Sequence, residues 1–557
     1  MPELVDKATI ELSTTGARLR AKTIAAAATL VLAMAVNLPI RGWLSASNPL
    51  ERVNMETVAE MQRSGKWFFP TLNEQPRLAK PPIAAWLSAM STSRSTIERM
   101  NDDDATVRHA ALLRLLGDVR VPAVIAASLM LVAIFDLGVT LGSFRTGVLA
   151  ALIAGTTLMF LRQAVVATSD VYLALSVAAA NSALARIVLG RGRPMTWLAA
   201  GSLLGLGIMC KGPVSLLETV FPAGLFVLWR RRRPGGFTTR RALAAGLAML
   251  AIGGWWFCLA MLHYGREAVD IWTIQVFRYQ TNLWQADPWY SYIIALRLFL
   301  PWLPWLLVGF WNAVGFGRTD ERRWLAIFLL VAPGLVLSLF HERRDRYLLP
   351  MLAPAAVIMA QGLIDWIDDP RRKSLGGTAL LWLHWGLMLA GVIVVWRSLA
   401  QHHPIAAGGT ACGGMFVLAG WLLTYRRPEF LAPITAALVI WFNAAFLFGQ
   451  EKGVPVTLAS RMADVIHAQN LRGDVCVLYP EPTTMYVPAV DLSLWLGRPV
   501  RLIQTLPNAE GLLVYTEGLR TSPPPETSSW HVPFSRLDDG TMNAMLFVSS
   551  PPSAPKD

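Results

Sequence analysis

A handful of charged residues stand out against an apolar background in this chain, and their types and spacing set what chemistry it can do. Glu51, Glu56 and Glu60 precede a Ser64-Gly65-Lys66-Trp67 turn. On a surface helix such carboxylates are ordinarily a solvated face. Lys80-Pro81-Pro82 follows. Proline fixes φ, so the corner holds an ammonium in one direction, and a lysine so placed suits a phosphate as a point charge. Asp170 sits in the run ATSDVYLAL. An acid at membrane depth is costly and hence a functional candidate, while the plainer reading is a helix cap shared with Thr168 and Ser169. In Lys211-Gly212-Pro213 the Gly-Pro explains a tight turn, and the lysine is left over. His341-Glu342-Arg343-Arg344-Asp345-Arg346, running into Tyr347, gathers three arginines. Arginine pairs bidentately with phosphate, so this cluster fits a lipid-phosphate headgroup. Its plainer reading is a basic patch against anionic lipid, which is commoner on the cytoplasmic side.

The elements that must position these residues are mostly membrane spans. The 557 residues are 54% hydrophobic and 16% charged, against about 25% charged in soluble domains. Apolar runs near the roughly 20 residues needed to cross a bilayer recur at 23–41, 121–140, 145–163, 170–189, 196–210, 213–230, 243–263, 291–312, 324–340, 347–366, 376–396, 409–424 and 431–448. The expected fold is an all-α polytopic membrane protein of about thirteen spans. With the N-terminus cytoplasmic, alternation assigns most of the excess basic charge to the cytoplasmic side, including Arg230–Arg233 and Arg371–Lys373. That is the positive-inside pattern, and it explains the +13 net charge without nucleic acid. The basic residues of loop 42–120 and of 341–346 fall on the external side, where anion binding is the reason to keep them.

Three regions follow a cytoplasmic segment at 1–22. The array 23–448 includes external loop 42–120, where Glu51–Arg63 and Ile83–Met90 suit helices lying in the membrane interface. Segment 449–557 reads as a small external α/β domain: a helix at Leu458–Gln469, strands at Asp474–Tyr479, Val500–Gln504, Gly511–Thr516 and Ala544–Ser549, and a disordered end. The first apolar segment lacks a cleavage site and reads as a retained span. No close pairing or metal spacing links Cys210, Cys258, Cys412 and Cys476, and His402-His403 is the only adjacent histidine pair. No cofactor is expected, and the sequence leaves a divalent metal open. In Phe277-Arg278-Tyr279, on the loop before the span at 291–312, the arginine reads as an ordinary solvent-facing charge.

The ordered set Glu60-Met61, Ser64-Gly65-Lys66-Trp67, Pro70-Thr71-Leu72-Asn73, Lys80-Pro81-Pro82, Arg120-Val121-Pro122, Asp170, Lys211-Gly212-Pro213 and Arg346-Tyr347-Leu348-Leu349-Pro350 resembles the bacterial protein O-mannosyltransferases and lipid A aminoarabinose transferases of the glycosyltransferase C superfamily. The resemblance covers roughly residues 23–365. It implies a bacterial inner-membrane enzyme that moves a sugar from a polyprenyl-phosphate-linked donor to a lipid, glycan or protein acceptor on the external face. It also implies a carboxylate base and cations for the departing lipid phosphate. Residue by residue, Glu51 is the expected base with Asp170 as second carboxylate, and Lys80, Lys211, Arg343, Arg346 and Tyr347 form the donor-phosphate site.

One position departs from the pattern. The family places Asp-Glu at the start of the first loop, and this chain has Leu50-Glu51. Either Glu51 or Asp170 acts as base, or the register slips by one residue, or transfer is lost and the chain binds a polyprenyl lipid on the same scaffold. A transporter fits less well, because transporters collect polar residues near the midplane and these gather at one external rim.

Overall fold

The computed structural model describes residues 15–42, 45–231, 234, 236–274, 287–288, 290–300, 302–315, 320–340, 342–368, 454–455, 457–468, 474–478, 486–503, 513–517, 527–535 and 541–549. The expected spans at 376–396, 409–424 and 431–448 lie outside the described residues, as do Arg278, His341, His402-His403, Cys412 and the end of the tail. The chain forms two compact units. One is drawn from Met1–Ile40, Ala123–Val165 and Ser169–Gln450, the other from Arg41–Pro122, Val166–Thr168 and Glu451–Asp557.

The first unit is helical. Among the described residues of the whole chain, three helices are long and apolar enough to cross a bilayer, Leu19–Pro39, Ala105–Leu141 and Ser169–Arg191, or up to five if each of two bent pairs is one span. Of the other expected spans in the described residues, 196–210 and 324–340 form the 18-residue helices Pro194–Lys211 and Glu321–Ser338, and the rest are divided or shortened. The run 145–163 becomes Phe144–Gly155 and Leu158–Gln163, with Thr157 capping the second. The run 213–230 becomes Val214–Leu217 and Val220–Arg230. Thr239–Gly253 and Trp255–Tyr264 meet at 48°, and Ser291–Phe299 and Leu303–Gly315 at 104°.

Two 18-residue helices, Ser169–Arg186 and Pro194–Lys211, are joined by a short connection. They run antiparallel, so the start of the first and the end of the second reach the same level. Pro194–Lys211 also packs on Thr239–Gly253 through Gly201 and Gly205, a small-xxx-small spacing that lets backbones touch. A Cβ on Gly201 would lie 2.1 Å from the Ala245 carbonyl oxygen. Gly201→Val is therefore expected to cost about 1–3 kcal/mol by overpacking, read as a lowered melting temperature of the detergent-solubilised protein. An unchanged melting temperature would contradict this packing.

In the second unit, helix Pro49–Ser64 starts on Asn48, whose side chain accepts the Leu50 N–H at 3.0 Å, and has Pro49 in its first turn. Every residue from Glu51 to Met61 is buried. The charged face expected to meet solvent or headgroups is instead enclosed by protein, because its carboxylates find partners far away in sequence. A two-stranded hairpin, β1 (Thr71–Leu72) and β2 (Gln75–Pro76), follows. The tail contributes β3 (Val475–Leu478), β4 (Val500–Ile503), β5 (Leu513–Glu517), β6 (Thr527–Ser535) and β7 (Thr541–Ser549). They form one sheet in the order β4-β3-β5-β7-β6, parallel about β3 and antiparallel from β5 to β6. Ala459, Met462, Ala463 and Ile466 recur at i, i+3, i+4 and i+7 on helix Leu458–Ala468, the apolar stripe of an amphipathic helix. They pack on Val475, Val477, Leu492 and Leu496. Helix Val487–Leu496 was not read from sequence: Ala489–Leu494 are all buried, so it shows no polar face.

Candidate functional site

Asp170 is the second residue of helix Ser169–Arg186 and is 2% exposed. Its carboxylate pairs with the Lys211 ammonium at the end of the antiparallel neighbour, and Arg346 Nε stands 3.4 Å from its other oxygen. Lys211 lies 4.2 Å from the centroid of the Tyr347 ring, and the Arg346 guanidinium lies 5.3 Å from it. The Tyr347 hydroxyl hydrogen-bonds with Glu342. Cations are drawn to the face of an aromatic ring, so Tyr347 seats both beside the carboxylate. Gly212, at φ +71° and ψ −151°, occupies a region that residues with a Cβ essentially avoid. It turns the chain sharply just after Lys211. Four sequence candidates, Asp170, Lys211, Arg346 and Tyr347, are thus brought together within one unit.

Arg343 is held nearby in sequence. Its N–H donates to Asp287 Oδ2 at 2.8 Å, its Nε to the Ser338 carbonyl at 3.1 Å, and its Nη1 to the Asp287 carbonyl. Chemically the cluster is a carboxylate whose charge is shared by two cations. An arriving phosphate would compete with Asp170 for those cations. Among the described residues no group of three or more His, Cys, Asp or Glu is placed to hold a metal ion.

Glu51 and Lys80 belong to the second unit. Glu51 is clamped: Arg120 Nε and Nη2 donate to its two oxygens at 2.7 Å each, and the Ala167 N–H donates at 2.9 Å. Arg120 and Glu51 are each 1% exposed. Arg120 also donates to the Arg41 and Ser45 carbonyls. Lys80 is half-buried between the hairpin and helix Ile83–Ser91.

The other signature residues of the first loop build this unit. The Gly65 N–H closes the helix on the Met61 carbonyl at 2.9 Å. The Trp67 carbonyl accepts the Trp86 indole N–H at 2.6 Å. Asn73 and Glu74 form a turn at φ 52° and 65°, and Glu60 accepts the Glu74 N–H. Burial pushes the Glu60 carboxyl upward, opposed by bonds from Thr71, Glu74 and Asn73. Asn73 Nδ2 donates to the Val500 carbonyl at 3.1 Å, tying the hairpin to β4.

Two residues of the first unit escaped the sequence reading. Glu218 is 2% exposed, and Lys211 and Asp170 are the charges that act on it. Tyr292 is 9% exposed, with Tyr347, Arg343, Asp287 and Glu218 as its charged or titratable neighbours. The signal for Glu218 was present, since it is the only acid in 213–230 and an acid in an apolar run is a candidate by default. Tyr292, in an aromatic-rich run, carried none.

Comparison with known proteins follows the same lines. The profile of the family described as dolichyl-phosphate-mannose-protein mannosyltransferase matches residues 114–256, which include Asp170, Lys211 and Glu218. An undecaprenyl phosphate-alpha-4-amino-4-deoxy-L-arabinose arabinosyl transferase of Pseudomonas fluorescens is 28% identical over 58% of this chain and 55% of its own length. The enzyme of the same description from Pectobacterium carotovorum is 26% identical over 69% of this chain and 67% of its own. The match therefore spans about half to two thirds of these relatives. The crystal structure of ArnT from Cupriavidus metallidurans bound to undecaprenyl phosphate superimposes with a TM-score of 0.65 at 16% identity, over 93% of this chain and 97% of that one. That likeness shows a shared fold. The chain is thus similar to the dolichyl-phosphate-mannose-protein mannosyltransferases over residues 114–256 and to undecaprenyl phosphate-alpha-4-amino-4-deoxy-L-arabinose arabinosyl transferases over 58% to 69% of its length, and it shares the fold of the solved ArnT.

Proposed function

We propose that this chain is an integral-membrane glycosyltransferase of the bacterial inner membrane, moving a sugar from a polyprenyl-phosphate-linked donor to a lipid, glycan or protein acceptor on the external face. The observation that carries the reading is the Asp170 carboxylate held by Lys211 and Arg346 beside Tyr347. In the reaction an acceptor oxygen bonds to the sugar's anomeric carbon, the carbon–oxygen bond to the lipid phosphate breaks, and the acceptor proton passes to a carboxylate. Lys211, Arg346 and Arg343 take the charge that grows on the phosphate. Arrival of that phosphate draws the cations away from Asp170, which frees its carboxylate as base only when donor is present. This exchanges the two carboxylate roles expected from the sequence, where Glu51 is the base and Asp170 the second carboxylate: Glu51, fixed in place by Arg120, becomes the second carboxylate, and Lys80 is a further phosphate ligand. In this reading the N-terminus is cytoplasmic and the tail external, and the charged residues of the first loop face the reaction side.

The test is transfer in vitro from undecaprenyl phosphate carrying a labelled sugar. Asp170→Asn is expected to lower the rate about 10²–10⁴-fold, the usual contribution of a positioned base, with a smaller loss for Glu51→Gln. Full activity in both variants would remove the base assignment. Leu50 supports one second reading, since a leucine stands where the family carries a carboxylate. Tight binding of undecaprenyl phosphate with no transfer to any acceptor would select that reading, a polyprenyl-lipid-binding protein on a transferase scaffold.

A further inference from the structure

Glu218 and Tyr292 carry an observation that the phosphate site does not use. Among the described residues, Glu218 Oε2 and the Tyr292 hydroxyl are buried without a hydrogen-bond partner. Both lie in the first unit, and each feels the other side of one cluster: Glu218 senses Lys211 and Asp170, while Tyr292 senses Tyr347, Arg343 and Glu218. The turn Val214–Leu217, which leads into Glu218, packs on helices Ser169–Arg186 and Pro194–Lys211. Helix Ser291–Ala295, which carries Tyr292, packs on the turn Asp345–Leu348.

A buried polar atom without a partner is unfavourable, and native interiors keep few of them. Two together, beside a cluster built for a phosphate, have a common explanation if the ligand supplies the missing partners. A carboxylate oxygen needs a donor, and a phenol both donates and accepts. A group with several hydroxyls, or hydroxyls and an amine, satisfies both, whereas a bare phosphate offers no donor comparable to them. We infer that Glu218 and Tyr292 form the sugar-recognising pair of the site, hydrogen-bonding the hydroxyl or amino groups of the sugar whose phosphate is held by Lys211 and Arg346. This rests on the donor reading proposed above and adds to it the residues that distinguish a sugar-bearing lipid from the spent lipid phosphate.

The experiment compares binding of undecaprenyl phosphate with binding of undecaprenyl phosphate bearing 4-amino-4-deoxy-L-arabinose or mannose, using the full chain in nanodiscs. Wild type is expected to prefer one sugar-bearing lipid. Glu218→Gln and Tyr292→Phe should each reduce that preference about three- to tenfold, the range for one lost hydrogen bond. Glu218→Asp should keep part of it. Affinity for undecaprenyl phosphate alone should stay within about twofold in all three, which a purely structural role would not allow. If the variants keep the full preference, or lose both affinities in parallel, the inference is overturned while the donor-phosphate reading stands. Equal binding of bare and sugar-bearing lipids by wild type overturns it in the same way. If wild type binds none of the lipids, the donor reading itself fails and the inference with it.

Discussion

Arg120→Ala is expected to destabilise the second unit by about 3–5 kcal/mol, the range for removing one partner of a buried ion pair. The pair is sealed, each partner being 1% exposed, and joined by two bonds of 2.7 Å. Alanine leaves the Glu51 carboxylate with the Ala167 N–H as its remaining donor in this unit. It also strips the Arg41 and Ser45 carbonyls of the guanidinium they accept from. Arg120→Lys should fall between, since an ammonium keeps the charge but cannot fork across a carboxylate. The double variant Glu51→Leu/Arg120→Met should recover much of the loss, because an apolar pair often replaces a buried ion pair at little cost. Hydrogen exchange of the Pro49–Ser64 amides in the detergent-solubilised chain measures each effect. If Arg120→Ala exchanges like wild type, the clamp contributes nothing to stability. The same set separates two roles for Glu51. A clamp without chemistry predicts that the double variant, once refolded, regains transfer; a base predicts that it does not.

How far the site could be read in advance depended on how strongly each residue contrasted with its neighbours. Asp170, Lys211, Arg346 and Tyr347 sit at the ends of apolar runs, so their cost in a membrane marked them, and helix antiparallelism brought Asp170 and Lys211 together. Glu218 and Tyr292 lie inside segments that read as uninterrupted spans, and only the break between Leu217 and Val220 shows that this stretch is not a plain helix. The first-loop helix is more buried than its sequence pattern implies, for another reason. Its 3.6-residue pattern, with Met55, Val58 and Ala59 on one side, describes a half-exposed helix, yet its carboxylates are enclosed. Their partners, Arg120 for Glu51 and Ser493 for Glu56, come from 69 and 437 residues away. No local pattern records such a partner. The same holds for the tail: β3 and β4 show themselves by β-branched content, whereas helix Val487–Leu496, buried continuously from Ala489 to Leu494, has no periodicity to find.

Glu56→Gln is expected to stabilise the second unit increasingly as pH rises. Burial pushes the Glu56 carboxyl from 4.5 up to about 8, with Arg63 opposing and Glu60 adding to the rise. A count of hydrogens agrees. Ser493 Oγ lies 2.6 Å from Glu56 Oε1 and 2.9 Å from the Arg498 carbonyl, and a hydroxyl has one proton to give. If Glu56 carries its own proton it donates to Ser493, and Ser493 donates onward to Arg498, so both contacts become hydrogen bonds. The remaining charged neighbours are partnered: Arg63 donates from Nη1 to Glu56 Oε1 at 3.3 Å and from Nη2 to the Gly497 carbonyl at 2.9 Å, while Asp491 on the facing helix pairs with Arg52 at 2.6 Å. Because the folded value lies above the unfolded one, the group costs nothing below about pH 4.5. Between there and about pH 8 the unfolded chain ionises while the folded chain keeps its proton, and stability falls by about 1.4 kcal/mol per pH unit. Above that the penalty is complete, on the order of a few kcal/mol. Glutamine does not titrate, so its advantage over wild type should be small at pH 4 and largest above about pH 8. Opening free energies from hydrogen exchange of helices Pro49–Ser64 and Val487–Leu496 across that range give the comparison directly. Parallel pH profiles for wild type and Glu56→Gln would show that Glu56 is ionised in the folded protein, paired with Arg63 of its own helix and accepting a hydrogen bond from Ser493 of the tail helix.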